Sequence, residues 1–276
     1  MESGWVRRWV EVAVFVGIWI ACGVFLHMSP DIYLLFGIPL TAAFQLLVRR
    51  RPIKELWVRN GPNISLRTVS LRLAIPLAIY PVYHLVTVLI NGRAIGYVLY
   101  AVAAIIGAGA AAYALGNFRR RTWADLGLCV ATASVIGIVI TLGFAWAASF
   151  AHPTGFHLRP DVLTGIKSFL LYVASLFVVE EVAFRGALDS HVRHPGQGHG
   201  GASTIYGIAS AIFVSVLWGL WHHPVLPQAP IWALLPVQVA MGPFLSLFWR
   251  RSGNLMVPGF AHALNDAVRN AFVGLP

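Results

Sequence analysis

Three short segments in the last hundred residues combine carboxylates, histidines and an arginine at helical spacing. The first is FVVEEVAFRGAL, residues 177–188, in which Glu180 and Glu181 are adjacent and Arg185 follows Glu181 by four residues. Residues four apart share one face of a helix, so Glu181 and Arg185 can pair. Glu180 is turned by about 100° from Glu181 and has no basic partner nearby on its helix. We therefore expect Arg185 to make burial of Glu181 tolerable, which leaves Glu180 for chemistry.

The other two segments each supply a histidine. SVLWGLWHH contains Trp218 and His222, which are four residues apart and share one helix face. FAHALND contains His262, with Asp266 four residues later and Asn265 three residues later as the alternative partner. A single histidine on an apolar helix is usually a packing residue. Two such helices beside an unpaired carboxylate indicate a shared site instead.

One carboxylate and two imidazoles suit hydrolysis. Glu180 would take a proton from water, because burial disfavours the charged form of a carboxylate and so makes it a better proton acceptor. A histidine or an amide side chain would then stabilise the oxyanion of the tetrahedral intermediate. Asp266 or Asn265 would orient His262 through one ring nitrogen and so determine its tautomer.

The elements that carry these residues have the composition of membrane helices. Of the 276 residues, 58% are hydrophobic and 11% are charged, where a soluble domain has roughly 25% charged residues. Uninterrupted apolar runs of about 18 residues or more are typical of transmembrane helices. Such runs lie at about 9–28, 31–48, 69–90, 94–116, 127–149, 163–188, 203–223, 229–249 and 254–273. The sequence predicts an all-α, polytopic integral membrane helical bundle with eight or nine transmembrane helices.

The net charge of +10 does not indicate nucleic-acid binding, because the basic residues cluster in alternate loops. These clusters are Arg7 and Arg8; Arg49, Arg50, Arg51, Lys54 and Arg59; Arg119, Arg120 and Arg121; Arg193; and Arg250 and Arg251. Such asymmetry is the positive-inside pattern, and it predicts a cytoplasmic N-terminus. Arginine-rich, alanine-rich and glycine-rich composition favours a prokaryotic plasma membrane.

The ionisable residues divide the chain into two parts. Residues 1–160 read as N-terminal membrane helices without motifs, and residues 161–276 as a four-helix catalytic core. The ionisable residues inside the last four predicted spans include Lys167, Glu180, Glu181, Arg185, His222, His223, His262 and Asp266. An ionisable side chain within a bilayer indicates a functional site by default.

The three motifs together resemble a known family. Glu180-Glu181-x-x-x-Arg185 followed by Gly186, then aromatic-x-x-x-His, then His-x-x-x-Asp, is similar in order and rough spacing to the CAAX protease and bacteriocin-processing family. That family includes the type II CAAX prenyl endopeptidases and many prokaryotic abortive-infection membrane proteins. The resemblance covers about residues 165–270, and the first five helices show no matching motif.

The resemblance implies roles for the motif residues. Glu180 would be the base that activates water, and His222 would assist this base or bind the water. His262 and Asp266 would form the site that stabilises the oxyanion. No cofactor is implied, and the substrate would be a peptide or lipidated protein associated with the membrane lipids, with no nucleic-acid partner.

The same resemblance implies that Glu181 and Arg185 form a structural or substrate-orienting pair. This sequence departs from the family pattern at two positions. Trp218 stands where the family usually has phenylalanine, which we interpret as altered packing. Asp266 stands where the prenyl endopeptidases have asparagine, and a buried carboxylate donates a hydrogen bond only when protonated. The direct oxyanion role therefore shifts toward His262.

The amino-acid sequence leaves two alternative functions open. Glu180, His222 and His262 could together bind zinc as a two-histidine, one-carboxylate site, although the chain has no H-E-x-x-H motif. The protein could instead be a non-catalytic membrane transporter or assembly protein that uses the same buried charges. Charges spread along a pathway through many helices would favour that second alternative, whereas here they converge on the last four.

Overall fold

The computed structural model describes residues 2–151, 161–175, 179–193, 205–226 and 231–273. Within these ranges the chain forms ten α-helices and no β-strand. The helices are α1 (Glu2–Phe25), α2 (Pro30–Ala43), α3 (Leu71–Ile90), α4 (Ile95–Gly116), α5 (Arg120–Ala151), α6 (Val162–Ser175), α7 (Ser190–Val192), α8 (Ile205–Trp221), α9 (Ile231–Ser252) and α10 (Met256–Val273). Two π-helical segments, Phe44–Val48 and Val182–Asp189, and a 3₁₀ turn, Ile53–Leu56, complete the elements.

Among the residues that the structure describes, five helices are long and apolar enough to cross a membrane: Gly4–Phe25, Pro30–Val48, Leu71–Ile90, Ile95–Gly116 and Arg120–Gly143. Two shorter apolar helices, Val162–Ala174 and Ile205–Trp221, lie in the C-terminal part. In lipid every backbone polar group must be satisfied within the protein, so long apolar runs form helices. The prediction of an all-α integral membrane protein is confirmed, whereas the count of eight or nine spans stays a prediction.

Turn residues end the helices where the sequence supplies them. α2 starts with Pro30 after Ser29, a position where the missing proline N–H has no intrahelical partner to lose. α9 ends at Ser252, and Gly253 follows with φ +65° while its N–H donates to the Trp249 carbonyl at 2.9 Å. This left-handed glycine turns the chain sharply into α10.

The N-terminal helices pack directly against those that carry the motifs. The Trp19 indole on α1 lies edge-on to Trp221 on α8, with 5.0 Å between ring centroids. The Tyr33 hydroxyl on α2 donates to the Trp221 carbonyl at 3.1 Å. α10 packs against α5 and α6, and α4 packs against α6. The division into a motif-free part and a catalytic core at residue 160 stays a prediction, and residues 152–160 lie outside the described ranges.

The π-helical segment Val182–Asp189 follows directly after Glu180 and Glu181 and contains Arg185 and Gly186 of the first motif. All eight of its residues are buried. It passes so close to the 3₁₀ turn that a Cβ on Gly186 would lie 2.5 Å from the Leu56 carbonyl oxygen, so only glycine fits there. π-helical turns are frequent at functional sites, because the wider turn shifts side chains around the helix axis.

Candidate active site

The first acid–histidine pair joins Glu180, just before the π-helical segment, to His222 at the end of α8. The Trp218 indole Nε1–H donates to Glu180 Oε2 at 3.0 Å. The His222 Nε2 atom lies 3.7 Å from the same oxygen, and the side chains of His222 and Glu180 are 13% and 12% exposed. Glu180 is therefore held by one donor, faces an imidazole nitrogen and remains partly accessible. The structure brings Glu180 and His222 together. They are distant along the chain, because His222 lies one helical turn beyond Trp218, which is itself 38 residues from Glu180.

The end of α8 determines how His222 is oriented. α8 ends at Trp221, so His222 is the first residue beyond it, where helix carbonyls lack intrahelical partners. His222 Nδ1 lies 2.8 Å from the Trp218 carbonyl oxygen. A carbonyl only accepts, so Nδ1 carries the proton and donates it. In the neutral ring Nε2 is then an acceptor, and it points at the Glu180 carboxylate.

Glu181 forms a second, fully enclosed pair with His262 of α10. Its side chain is fully buried, and its Oε1 lies 2.8 Å from His262 Nδ1 and 3.5 Å from Arg185 Nη1. The predicted contact with Arg185 is present. The shorter contact with His262 was not predicted from sequence, because helical spacing reveals neighbours only within one helix. Helical phase therefore separates the adjacent glutamates into two different pairs.

The far side of His262 faces Asp266. His262 Nε2 lies 3.4 Å from Asp266 Oδ2, and Asp266 Oδ1 lies 3.1 Å from Arg269 Nη1. Asn265, the alternative partner, is turned toward α5, where a Cβ on Gly137 would overlap its amide oxygen. Of the two candidates in this helix, Asp266 is thus the one that the fold brings to His262.

Trp218 lies between the two pairs and contacts both. Arg185 Cζ lies 3.9 Å from the centroid of the Trp218 ring, a cation–π contact. The ring is also perpendicular to His262, with 5.2 Å between centroids. Sequence reasoning treated Trp218 as packing and missed its hydrogen bond to Glu180. The signal that could have revealed it is general: a buried tryptophan N–H usually requires a partner.

The same geometry bears on a zinc site. The alternative ligand set was Glu180, His222 and His262, but His262 contacts Glu181 and Asp266 with its two ring nitrogens. Across the residues that the structure describes, no group of three or more histidine, cysteine or acidic side chains is arranged to hold a metal ion. The three proposed ligands therefore do not fit zinc as placed, and metal independence stays a prediction to be tested in solution.

Comparison with known proteins agrees with the motifs. A model of the type II CAAX prenyl endopeptidase Rce1-like family matches residues 163–268, which run from α6 to α10 and contain all three motifs. Comparisons with curated proteins and with solved structures give no match. The matched family implies a protease, which hydrolyses peptide bonds. A membrane protease agrees with the apolar helices of this chain. Residues 163–268 are therefore similar to the Rce1-like type II CAAX prenyl endopeptidases.

Proposed function

We propose that this protein is an intramembrane CAAX-type endopeptidase in which Glu180 activates water and His222 assists it. The observation that carries the proposal is the pair formed by Glu180 Oε2 and His222 Nε2, 3.7 Å apart and partly accessible. That separation is longer than a direct hydrogen bond, and a water molecule beside both atoms can reach each of them. Glu181, in contrast, is sealed from water and has a structural partner.

In the proposed reaction, Glu180 and His222 each interact with a different proton of the attacking water. Glu180 takes one proton from the water, and the oxygen attacks the carbonyl carbon of the scissile peptide bond. His222 Nε2 accepts a hydrogen bond from the other O–H and so orients the water. The carbon–nitrogen bond then breaks, and protonated Glu180 returns its proton to the leaving amine. Atoms and charge balance without any added co-reactant.

His262 is the proposed oxyanion donor. A ring protonated at both nitrogens donates Nδ1–H to Glu181 at 2.8 Å and keeps Nε2–H on the opposite edge. The contact of Nε2 with Asp266, at 3.4 Å, is the longer one, so Nε2–H can turn to a substrate oxygen. When no substrate is present, Asp266 accepts this hydrogen bond. Asp266 would therefore orient His262 and would not itself donate a hydrogen bond to the oxyanion.

Trp218 and Arg185 complete the proposed site as positioning residues. The indole N–H holds Oε2 of Glu180, and the ring supports the guanidinium of Arg185. Arg185 in turn approaches Glu181, which holds His262. The general base and the oxyanion donor are thus linked through side chains whose rotamers are constrained by burial.

The family match supports a membrane-associated peptide or a prenylated protein as the substrate. The clustering of arginines in alternate loops supports a cytoplasmic N-terminus. The apolar runs support eight or nine spans, and the arginine-, alanine- and glycine-rich composition supports a prokaryotic plasma membrane. Comparing the membrane proteomes of cells that carry wild-type protein or a Glu180→Gln variant would identify the substrate, because uncleaved precursors would accumulate with the variant.

The decisive experiment replaces the proposed base. Glu180→Gln keeps the shape of the side chain but removes its basicity, and general-base catalysis contributes about 10²–10⁴-fold to rate. We expect cleavage of a prenylated reporter peptide in proteoliposomes to fall by at least about 100-fold, while thermal unfolding stays unchanged. Asp161→Asn, an acid-to-amide change at an exposed position just before α6, is the matched control and should cleave normally. Normal cleavage by folded Glu180→Gln protein would sink the proposal, and no cleavage by wild type would favour a non-catalytic role.

A further inference from the structure

A cavity of about 730 Å³ lies at the end of the molecule where α1 begins and α2 ends. Its walls come from α1, from the loop after α2 and from the residues around α7. Six arginines line it together with two glutamates, Glu11 and Glu55; the arginines are Arg7, Arg8, Arg49, Arg51, Arg59 and Arg193. None of these side chains takes part in the proposed hydrolysis.

The glutamates leave much of this positive charge uncompensated. Glu11 is shared between two neighbours: its Oε1 lies 2.7 Å from Arg7 Nε, and its Oε2 accepts from His191 Nε2 at 2.7 Å. Glu55 is the other carboxylate on the cavity wall. Two acids facing six guanidinium groups produce a strongly positive potential inside a concave surface, where low-dielectric walls concentrate the field.

Two of the arginines are held rigidly by backbone carbonyls. Arg49 Nη1 donates to the Gly186 carbonyl at 3.0 Å, and Arg59 Nη1 donates to the Arg250 carbonyl at 3.0 Å. Arg59 Nη2 is buried and has no hydrogen-bond partner among the residues that the structure describes. Burial is the main cause that lowers the pKa values of both Arg49 and Arg59 to about 10. An anion in the cavity would relieve this penalty by compensating the two buried positive charges.

The surface beside the cavity is apolar and exposed. Val6, Val10 and Val14 are exposed along one face of α1 at intervals of four residues. Leu47, also exposed, lines a smaller cavity that shares Arg7 with the larger one. A soluble anion would make no use of this apolar flank, whereas acyl chains would cover it.

We infer that this cavity binds the phosphate headgroup of an anionic phospholipid. Guanidinium groups match phosphate oxygens with paired hydrogen bonds, and basic clusters beside a transmembrane helix attract anionic lipids. The volume is within the range of small-molecule sites and exceeds what one phosphate needs, so a glycerol headgroup also fits. The acyl chains lie along the valine face of α1.

The bound lipid would also stabilise the segment that contains Arg185 and Gly186 of the first motif. Arg49 connects the cavity to the Gly186 carbonyl, within the π-helical segment Val182–Asp189, and His191 connects the next turn to Glu11 on α1. A ligand that binds only the folded protein stabilises it by mass action. Thermal unfolding therefore reports occupancy independently of any proteolysis.

The test is a titration of purified full-length protein in neutral detergent with phosphatidylglycerol, phosphatidylcholine, glycerol phosphate and inorganic phosphate. Binding is followed by native mass spectrometry and by the rise in unfolding temperature. The pocket variant is Arg8→Gln with Arg51→Gln, and the matched control is Arg120→Gln with Arg121→Gln, two exposed arginines at the start of α5. Each arginine near an anionic headgroup contributes about fivefold to binding, so the pocket variant should bind phosphatidylglycerol about 25-fold more weakly.

We expect the control to stay within about twofold of wild type. Arg8→Lys with Arg51→Lys should bind more tightly than the glutamine variant because the charge is kept, and more weakly than wild type because the paired hydrogen bonds are lost. The lysine variant separates loss of charge from loss of fold. Equal weakening in the pocket and control variants would overturn the inference in favour of diffuse surface attraction. Equal binding of phosphatidylcholine would overturn it as well, and glycerol phosphate or inorganic phosphate binding as tightly as the lipid would replace it with a soluble phosphate ligand.

Discussion

Trp218 allows the sharpest test of the site, because a conservative substitution removes one hydrogen bond and little else. Trp218→Phe deletes the indole N–H that donates to Glu180 Oε2 at 3.0 Å. The phenyl ring keeps an aromatic face near Arg185, whose Cζ lies 3.9 Å from the present ring centroid. The Glu180 carboxylate then loses its one tryptophan donor and gains freedom to rotate away from His222.

The size of the effect follows from the charge of the acceptor. Hydrogen bonds to charged groups contribute about 1.5–3 kcal/mol, roughly twice the value for neutral pairs. If this energy positions the base in the transition state, kcat falls by about 10–100-fold, since each 1.36 kcal/mol corresponds to about tenfold in rate. Trp218 does not touch the substrate in the proposed mechanism, so KM should change by less than about threefold.

Trp221→Phe is the matched control. Trp221 is also fully buried, lies one turn away on α8, and packs edge-on against His222 with 5.1 Å between ring centroids. Its Nε1 has no hydrogen-bond partner within the described ranges. The substitution thus removes a similar volume from the same region without removing a hydrogen bond, and we expect kcat to stay within about threefold of wild type.

The assay measures kcat and KM for a prenylated reporter peptide in proteoliposomes, with thermal unfolding of each variant as the check on folding. Wild-type kcat in folded Trp218→Phe protein would refute a positioning role for the indole N–H. Equal losses in both tryptophan variants would also refute it, because the effect would then arise from packing.

Three further predictions concern the neighbouring residues and the metal question. His222→Ala should lower kcat by about 10²-fold, whereas His223→Ala, the adjacent and exposed histidine, should leave it unchanged; equal effects would contradict the role of His222. Glu181→Gln leaves His262 without its buried carboxylate, and breaking such a pair costs about 3–5 kcal/mol, so thermal unfolding should shift downward by about 10 °C. A wild-type unfolding temperature in that variant would contradict the structural role. Cleavage should survive saturating chelator, while loss of activity that zinc restores would support the zinc alternative.

Much of the site could be inferred from helical periodicity. The contact between Glu181 and Arg185 and the one between His262 and Asp266 both lie within single helices, four residues apart. Spacing of that kind is visible in the amino-acid sequence because a helix repeats every 3.6 residues. The choice between Asp266 and Asn265 was not visible, because both positions are within reach of His262 until α5 packs against α10.

The membrane character and the motif-bearing region are properties that composition and local spacing specify, since apolar runs form helices in lipid regardless of their neighbours. Contacts between helices are different, because they depend on how each helix is rotated and where it ends. The hydrogen bond from Trp218 to Glu180 and the one from His262 to Glu181 join residues 38 and 81 positions apart. The arginine-lined cavity likewise requires α1, the loop after α2 and α7 to meet at one end of the molecule. Such convergence arises from packing, in which many weak contacts together select one arrangement, and no single segment of the chain encodes it.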